Sequence, residues 1–413
     1  MHDGQAGRTG LLSFLRGAWP ALSFGGLHTF CSSPGQTIVV GVFIPSFAAA
    51  FSLSAGEIGA LYMLANLASA ATLLAVGHLI DVVPLRLFST ATIAGLAAAC
   101  AILAMAPHAM ILGLGFYAIR LTGQGLMVHI EATATGRAFA SDRGRALGIT
   151  GLGLPLADGL MPGLMVAAIA LLGWRPAYGA LAAVLLLLVL PTARALAARI
   201  PAGPVAAPHH ISHLTRLGGA LGILARSRIV WAALPAFAIL PFMLTGVFFY
   251  AAAIAEARGW PRGLIAASFP VMAASHVGAL FLSGYLIDRF SGRRLFAAYA
   301  WPALLGMVIL AVIDAPWAVP LAMLLIGLSG GIGKTTGTAI WAELFGTANL
   351  GAMRSFVAMY TSLATALAPF IWGMLVDRGR AWPEILVVFA ALGTLASLPF
   401  AILEARAFAT RHA

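Results

Sequence analysis

Residues 77–81 read Gly77-His78-Leu79-Ile80-Asp81, and residues 284–288, which lie 207 positions later, read Gly284-Tyr285-Leu286-Ile287-Asp288. After one inserted residue, the copies continue as Arg86-Leu87-Phe88 and Arg294-Leu295-Phe296. Further along the chain, residues 121–163 and 328–370 align at the same offset of 207. The chain is therefore predicted to be a duplicated half. Because the duplicated segments are mostly apolar, they predict a membrane protein with two equivalent bundles and a site between them.

The composition of the chain fits a lipid environment. Hydrophobic residues make up 61% of the 413 residues and charged residues 9%, whereas a soluble domain carries about a quarter charged residues. Cys31 and Cys100 lie in apolar stretches, and no cluster of His, Cys, Asp and Glu has metal-ligand spacing. We therefore expect no disulfide framework, no metal and no other cofactor. The polar start predicts no cleavable signal peptide, and residues 11–16 fit either a short interfacial helix or a lead-in.

The apolar stretches predict an all-α membrane fold. A helix needs about 20 mostly apolar residues to cross a bilayer, and cutting the chain at charges and Pro/Gly clusters gives twelve such stretches. A polar segment, 198–228, separates an N-terminal six-helix bundle (1–197, with its lead-in) from a C-terminal one (229–413). The twelve stretches are 24–50, 57–80, 87–107, 109–133, 145–172, 176–197, 229–256, 263–287, 295–313, 317–340, 352–376 and 383–404.

Arginine placement predicts the orientation of these spans. With both termini in the cytoplasm, seventeen arginines lie on the cytoplasmic side, five lie outside and Arg120 lies inside a span. This asymmetry is the positive-inside pattern, so we expect a multi-pass protein of the cell's inner membrane. The net charge of +11 needs no nucleic-acid partner, because no basic soluble face with base-reading elements is present. The five outer arginines are Arg175, Arg258, Arg262, Arg378 and Arg380.

The two duplicated loops resemble the signature loop of the major facilitator superfamily. The second copy is the fuller one, because the first has Val82 where a basic residue follows the aspartate. The resemblance covers roughly residues 24–404 and implies two six-helix bundles, a central cavity and alternating access. An Asp at a helix end and an Arg across a tight turn can form charge-assisted bonds that latch two helices. The gating residues implied are Gly77, Asp81, Arg86, Gly284, Asp288, Arg289 and Arg293, although these arginines can also serve only to anchor the loops.

Two further segments carry the resemblance and limit it. Arg120-Leu121-Thr122-Gly123-Gln124-Gly125 in span four is similar to the superfamily's Arg/Gln-Gly motif, with Gln124 one place late. In span five, Gly153, Pro155 and Asp158 depart from the Gly-Pro-x-x-Gly-Gly pattern of drug/proton antiporters. These features together therefore resemble the organic-anion and monocarboxylate branches of the superfamily more than the drug/proton antiporters.

Two opposite charges are predicted near the middle of the membrane. Ionisable groups at that depth are costly and are functional hypotheses by default. Arg120 lies about 18 Å into its span at 1.5 Å per residue, and its guanidinium stays charged and suits a carboxylate. We expect Arg120 to bind substrate and Asp158 to carry a coupling proton. The alternative is a static ion pair between them.

Lys334, the only lysine in the chain, is the second cation predicted in the cavity. Its segment resembles a nucleotide-binding loop but has Leu328 where the first glycine is required, and no strand precedes it. In the resembling family, spans one, four, seven and ten line the cavity, so Lys334 is expected to face Arg120 and bind an anion. The alternative is a lysine that extends to the cytoplasmic surface.

The remaining polar candidates are weaker. His276 lies in the middle of span eight, where it serves either as a second proton-coupling group or as a packed residue with one hydrogen bond. Gln36, Gln124 and Tyr250 are candidate substrate contacts. Pro34 and Pro45 are expected to kink span one. His129, Glu131 and Glu343 fit either an inner gate or a solvated vestibule.

These features predict a secondary transporter and not an enzyme. The expected substrate is a small organic anion, preferably a carboxylate, which moves together with protons. We expect a monomer in the lipid bilayer. One alternative is a drug or toxic-compound/proton antiporter with a mainly apolar cavity. An alternative of another class is a membrane sensor or scaffold that binds a ligand and moves no solute.

Overall fold

The structure is a computed structural model that describes residues 10–139, 142–200, 227–261, 263–345 and 350–412. All regular secondary structure in these ranges is helical. The first half contains the helices Leu11–Cys31, Ser33–Gly35, Thr37–Phe51, Ala55–Val76, Leu79–Val82, Leu85–Met105, Ala109–Ile119, Arg120–Met127, Val128–Ala138, Arg143–Thr150, Gly153–Leu172, Trp174–Val184, Leu185–Val189 and Leu190–Ala197. The second half contains Arg228–Phe249, Ala251–Ala257, Leu264–Phe290, Gly292–Ala298, Trp301–Val312, Ala318–Phe345, Leu350–Asp377 and Trp382–His412.

Within the described ranges, twelve helical segments are long and apolar enough to cross a membrane, so the predicted fold class is confirmed. The predicted linker falls largely between residues 200 and 227, outside the described residues. We number the segments as spans 1 to 12: Leu12–Phe51, Ala55–Val82, Leu85–Met105, Ala109–Ala138, Arg143–Leu172, Trp174–Ala197, Arg228–Phe249, Leu264–Phe290, Gly292–Val312, Ala318–Trp341, Phe356–Asp377 and Trp382–Ala407.

The twelve crossings define two faces of the bundle. Both described chain ends, Gly10 and His412, lie at the same end, which we call the terminal face, and the other end is the opposite face. The described arginines outside the spans' centres divide between these faces as the sequence predicted. The opposite face has Arg175, Arg258, Arg378 and Arg380, and the terminal face has Arg16, Arg86, Arg137, Arg143, Arg145, Arg194, Arg199, Arg228, Arg289, Arg293, Arg294 and Arg406.

Span 1 starts earlier than the predicted residue 24. Residues 11–16, which the sequence left between an interfacial helix and a lead-in, belong to the same helix as residues 24–31. This extension packs on Phe139, which follows span 4, and on Arg145 near the start of span 5. The ring of Phe14 lies 5.5 Å from that of Phe139, and the Arg145 guanidinium lies 4.5 Å from the Phe14 ring.

Equivalent contacts in the two halves support the duplication. In the first half, a Cβ placed on Gly95 of span 3 lies 3.1 Å from the Thr122 side chain of span 4. In the second half, the Ala303 amide of span 9 donates a 2.8 Å hydrogen bond to Ser329 of span 10. These residues correspond in the sequence repeat, so spans 3 and 4 meet at the same positions as spans 9 and 10.

Span 1 is broken between Cys31 and Thr37. Residues 33–35 form one 3₁₀ turn that contains Pro34, and Gln36 is extended at φ −82° and ψ 141°. Pro45, in contrast, lies inside the continuous helix Thr37–Phe51. A Cβ on Gly35 would lie 2.3 Å from the Ile119 carbonyl oxygen, so only glycine fits here. The break therefore packs directly on span 4, where residues 120–127 form a wider π-helix, a distortion found often at functional sites.

Candidate functional site

A cavity of about 580 Å³ is lined mainly by the second half, and Gln124 of span 4 contributes from the first. The second-half residues lie on spans 7, 9, 10 and 11, in the parts nearer the terminal face. Aromatic and aliphatic side chains form one wall, and hydroxyl and amide groups supply the polar contacts. The lining includes Gln124, Phe237, Leu240, Leu244, Phe296, Tyr299, Ser329, Lys334, Trp341, Thr361, Ser362 and Thr365.

Lys334 lies in this cavity and reaches the first half. Its ammonium nitrogen is 4.0 Å from the position that a Cβ of Gly151 would take at the start of span 5. The amine interacts electrostatically with Glu131 and Asp158 of the first half and with His276 of the second. The cation predicted for the cavity is therefore placed where the two halves meet.

Asp158 follows Gly151 by seven residues along span 5, beyond the short break between the helices Arg143–Thr150 and Gly153–Leu172. Its Oδ1 atom is buried and accepts no hydrogen bond from the described residues. The next residue, Gly159, packs closely on span 8, with its Cβ position 2.8 Å from Ala273 Cβ. In the sequence repeat, Asp158 corresponds to Thr365, which lines the cavity from span 11. Asp158 is thus a carboxyl group without a described hydrogen-bond donor, and unlike Thr365 it does not belong to the cavity lining.

Arg120 is placed differently from what the sequence suggested. It is 7% exposed and does not belong to the lining of the cavity. Its guanidinium donates to Asn66 Oδ1 and, over 2.9 Å, to the carbonyl oxygen of Gly35 in the break of span 1. It also lies 5.3 Å from the Tyr62 ring. The described partners of Arg120 therefore do not include the carboxylate of Asp158.

Glu131 is buried, with 6% of its surface exposed. It lies on span 4, and Thr150 of span 5 donates a hydrogen bond from its hydroxyl to Glu131 Oε1. The sequence left Glu131 between an inner gate and a solvated vestibule. The structure places it inside the first half, next to the segment that Lys334 approaches.

The two halves are joined at the opposite face. Asp377, at the end of span 11, accepts hydrogen bonds from Ser54 Oγ at 2.7 Å and from the Gly56 amide at 2.9 Å. Tyr250, predicted as a substrate contact, belongs to this closure instead of the cavity lining. Its hydroxyl lies 2.7 Å from the carbonyl oxygens of both Ala55 and Pro369. We call these contacts the opposite-face latch.

Asp377→Asn is expected to weaken the opposite-face latch. A hydrogen bond to a charged acceptor contributes about 1.5–3 kcal/mol. The population of molecules that are open at this face should therefore rise about tenfold. A cysteine placed at Ser46, which lines a recess at this face, should react faster with an impermeant maleimide. Glu384→Gln, at a 58% exposed side chain, is the matched control and should leave the rate unchanged. An unchanged rate in the Asp377 variant would contradict the latch.

The predicted gating residues lie at the terminal face, with different partners from those expected. Asp81 pairs with Arg137 at the end of span 4, where the resemblance suggested Arg86 across the turn. In the second copy, Arg293 pairs with Glu404 of span 12. Glu343 accepts a 2.7 Å hydrogen bond from the Gly292 amide. The second-copy residues Asp288, Arg289 and Arg293 line a recess of about 510 Å³ at this face.

The other predicted residues have local partners. Gln36 donates a 3.2 Å hydrogen bond to Ser32 at the break in span 1, whereas Gln124 lines the cavity. His129 Nε2 lies 3.0 Å from the carbonyl oxygen of Gly77, so His129 contacts the first gating loop. His276 packs against Gly330, and its Nε2 atom is buried without a hydrogen bond to any described residue.

Several site residues were not singled out from the sequence. Asn66 and Tyr62 on span 2 hold Arg120, and Asp377 closes the opposite face. Asn66 could have been found as an amide in the middle of an apolar span. The partners of Asp377 lie more than 300 positions away in the sequence, so no local pattern could have shown them. In the described ranges, no three His, Cys, Asp or Glu side chains form a metal site.

Comparisons with known proteins agree with this architecture. A family model described as Major Facilitator Superfamily matches residues 26–330. The crystal structure of the nucleoside transporter NupG is similar with a TM-score of 0.71 at 13% identity, covering 92% of this chain and 97% of that one. A bacterial homologue of the human lysosomal transporter Spinster, in an inward-facing and occupied conformation, has a TM-score of 0.72 at 14% identity, covering 95% and 97%. Curated protein sequences give no match.

Proposed function

Because this chain belongs to the major facilitator superfamily of transporters, we propose that it carries a small organic anion, a carboxylate for preference, together with protons. The observation that carries this proposal is Lys334. It is the only lysine of the chain, and it lines the cavity, where it is exposed. An anionic substrate that enters the cavity can therefore meet a positive charge there.

The size and lining of the cavity support a substrate with an apolar body. Phe237 stacks on Trp341 with ring centroids 5.0 Å apart, and both line the cavity. Hydroxyl groups of Thr361 and Thr365 line it from span 11. A carboxylate can therefore meet Lys334 while its hydrocarbon part contacts the aromatic wall.

Proton coupling is assigned to Asp158. A buried carboxyl group without a hydrogen-bond donor is costly as an anion, and the nearby amine of Lys334 favours that anion. Substrate that engages Lys334 removes this favourable interaction, so anion binding and proton binding at Asp158 support each other. Arg120 remains a proposed contributor of positive potential from inside the first half, and His276 a second proton site.

The arginine asymmetry supports an orientation with the terminal face in the cytoplasm. From the latch at the opposite face and the cavity nearer the terminal face, we infer an inward-facing form of an alternating-access carrier. The gating pairs Asp81–Arg137 and Arg293–Glu404 lie on the side that must close in the other form.

A drug/proton antiporter is the second candidate, favoured by the aromatic wall and by the two buried acids, Glu131 and Asp158. In that case lipophilic cations would be exported and would bind in the same cavity. A nucleoside, the substrate in the name of one similar structure, would need no contact to Lys334.

Uptake into proteoliposomes under an imposed pH gradient tests the proposal. We expect saturable uptake of at least one labelled carboxylate, which a more acidic outside increases, and none in protein-free liposomes. A thermal-shift screen of carboxylates, nucleosides and lipophilic cations selects the substrates, because a ligand of the native state stabilises it. Gradient-driven export of lipophilic cations without carboxylate uptake would favour the antiporter, and binding without flux a sensor.

A further inference from the structure

The recess that Ser46 lines at the opposite face has a volume of about 510 Å³ and contacts both halves. The first half contributes the parts of spans 1 and 5 nearest this face. The second half contributes the helix Ala251–Ala257 and the start of span 8. Buried side chains such as Ile265 and Phe269, which are 5% and 1% exposed, belong to its lining. We call it the opposite-face recess, and the proposed transport cycle does not use it.

The sequence repeat explains why the halves leave a space here. Spans 5 and 8 correspond to spans 11 and 2, which touch directly at the latched side of the same face. A Cβ on Gly59 or on Gly373 would lie 2.3 or 2.2 Å from a carbonyl oxygen of the facing span. The equivalent positions are Ala266 and Val166, and both line the opposite-face recess. Larger side chains therefore occupy the positions at which the other pair of spans meets through glycine.

The opposite-face latch also has no counterpart beside the recess. Asp377, which accepts the hydrogen bonds of the latch, corresponds to Ala170, and Ala170 lines the recess. The acid of the recess is instead Glu256, which is exposed. Its carboxylate has no hydrogen bond or ion pair with another described residue, and the neighbouring Arg258 pairs with Asp314. One carboxylate is thus available at this side of the face.

The chemistry of the lining favours one class of ligand. Among the described lining residues, only Ser46 and Glu256 have polar side chains. An apolar body can be buried against the remaining walls, and an ammonium group can donate charge-assisted hydrogen bonds to a carboxylate. An anion would be repelled by Glu256. The recess therefore suits a cation with an apolar body.

We propose that the opposite-face recess binds a lipophilic primary amine. Its ammonium group pairs with Glu256, and its apolar body lies between spans 5 and 8. Such a ligand contacts both halves, as the latch does between spans 2 and 11, and it stabilises the form that is closed at this face. The site is separate from the cavity that Lys334 lines, so the inference does not depend on anion transport.

Binding of phenylbutylamine to the purified full chain, measured by calorimetry in detergent, tests the proposal. Saturable binding is expected. Glu256→Gln should weaken it about three- to fivefold, because an ion pair at an exposed site contributes modestly. Phenylbutanol has the same apolar body without the charge, and its affinity should be the same in the wild type and in E256Q. Glu384→Gln removes another exposed carboxylate of this face and should leave the affinity for the amine unchanged.

A second measurement locates the ligand. In the chain with a cysteine at Ser46, phenylbutylamine should slow the reaction with an impermeant maleimide, and E256Q should require a three- to fivefold higher amine concentration for the same protection. Ala252→Leu fills part of the recess from the second half. This variant should weaken both the amine and the alcohol, because it removes space for the apolar body that they share.

Four outcomes would overturn the proposal. These are no saturable binding of the amine, wild-type affinity in E256Q, and an unprotected cysteine at Ser46 when the amine is saturating. The fourth is an affinity that Lys334→Gln changes and Glu256→Gln does not, which would place the amine in the main cavity. Binding that is kept in phosphatidylcholine bilayers and lost in phosphatidylethanolamine bilayers would likewise replace the free amine by a lipid as the occupant.

Discussion

Lys334→Gln is expected to lower kcat/KM for the transported anion by about 100-fold. A hydrogen bond to a charged group contributes about 1.5–3 kcal/mol, and each 1.4 kcal/mol is a factor of ten. Glutamine keeps most of the length and can still donate a hydrogen bond, so the loss reports the charge. Initial rates of labelled anion exchange in proteoliposomes, over a range of concentrations, measure the effect.

Two further variants serve as comparisons for Lys334→Gln. Lys334→Arg keeps the charge but replaces a compact ammonium by a planar fork, and an intermediate loss is expected. Arg194→Gln removes an exposed cation from the terminal face and should leave exchange unchanged. Wild-type exchange in the Lys334→Gln protein would refute the placement of the anion at this amine and leave Arg120 as the remaining predicted cationic contact.

Asp158→Asn is expected to abolish accumulation of the anion against its gradient. The amide has the shape of a protonated carboxyl group but cannot release a proton, so the pH gradient no longer drives substrate movement. Uptake down an anion gradient should continue, because Lys334 and its cavity are unchanged. The steady-state ratio of internal to external anion, measured with the outside more acidic, should fall to the value without a pH gradient.

Asp314→Asn is the matched control for Asp158. It makes the same chemical change at an 83% exposed side chain that pairs with Arg258 at the opposite face, and surface ion pairs contribute little. Accumulation should remain at the wild-type ratio in this variant. If Asp158→Asn accumulates anion as the wild type does, the coupling proton resides elsewhere, and His276 becomes the candidate to test by His276→Gln.

The fold was predictable because lipid imposes it. Each crossing needs a long apolar helix whose backbone groups bond internally, and the repeat of Gly77–Asp81 at Gly284–Asp288 fixed the division into two halves. The extension of span 1 to Leu11 was not predictable in the same way. Arg16 and Gly17 interrupt the apolar pattern, and the helix continues because Phe14 packs on Phe139.

The residue types of the candidate site could be selected from the sequence, but their partners could not. Lys334 and Asp158 stood out because charges in apolar spans are rare. The partner of Arg120 depended on the break in span 1, which exposes the Gly35 carbonyl oxygen to the guanidinium. The burial of Glu131 depended on Thr150 from another span. Such pairings follow from helix packing, and the periodicity of one span does not contain them.

The repeat also shows where the two halves have ceased to be equivalent. Their packing contacts at Thr122 and Ser329 still correspond, but Arg120 corresponds to Gly327, Lys334 to Met127, and Asp158 to Thr365. A chain assembled from two first halves would carry Asp158 twice and no lysine, and a tandem of second halves would carry Lys334 twice and no aspartate at this position. Under the proposed mechanism, neither copy could therefore be replaced by a duplicate of the other.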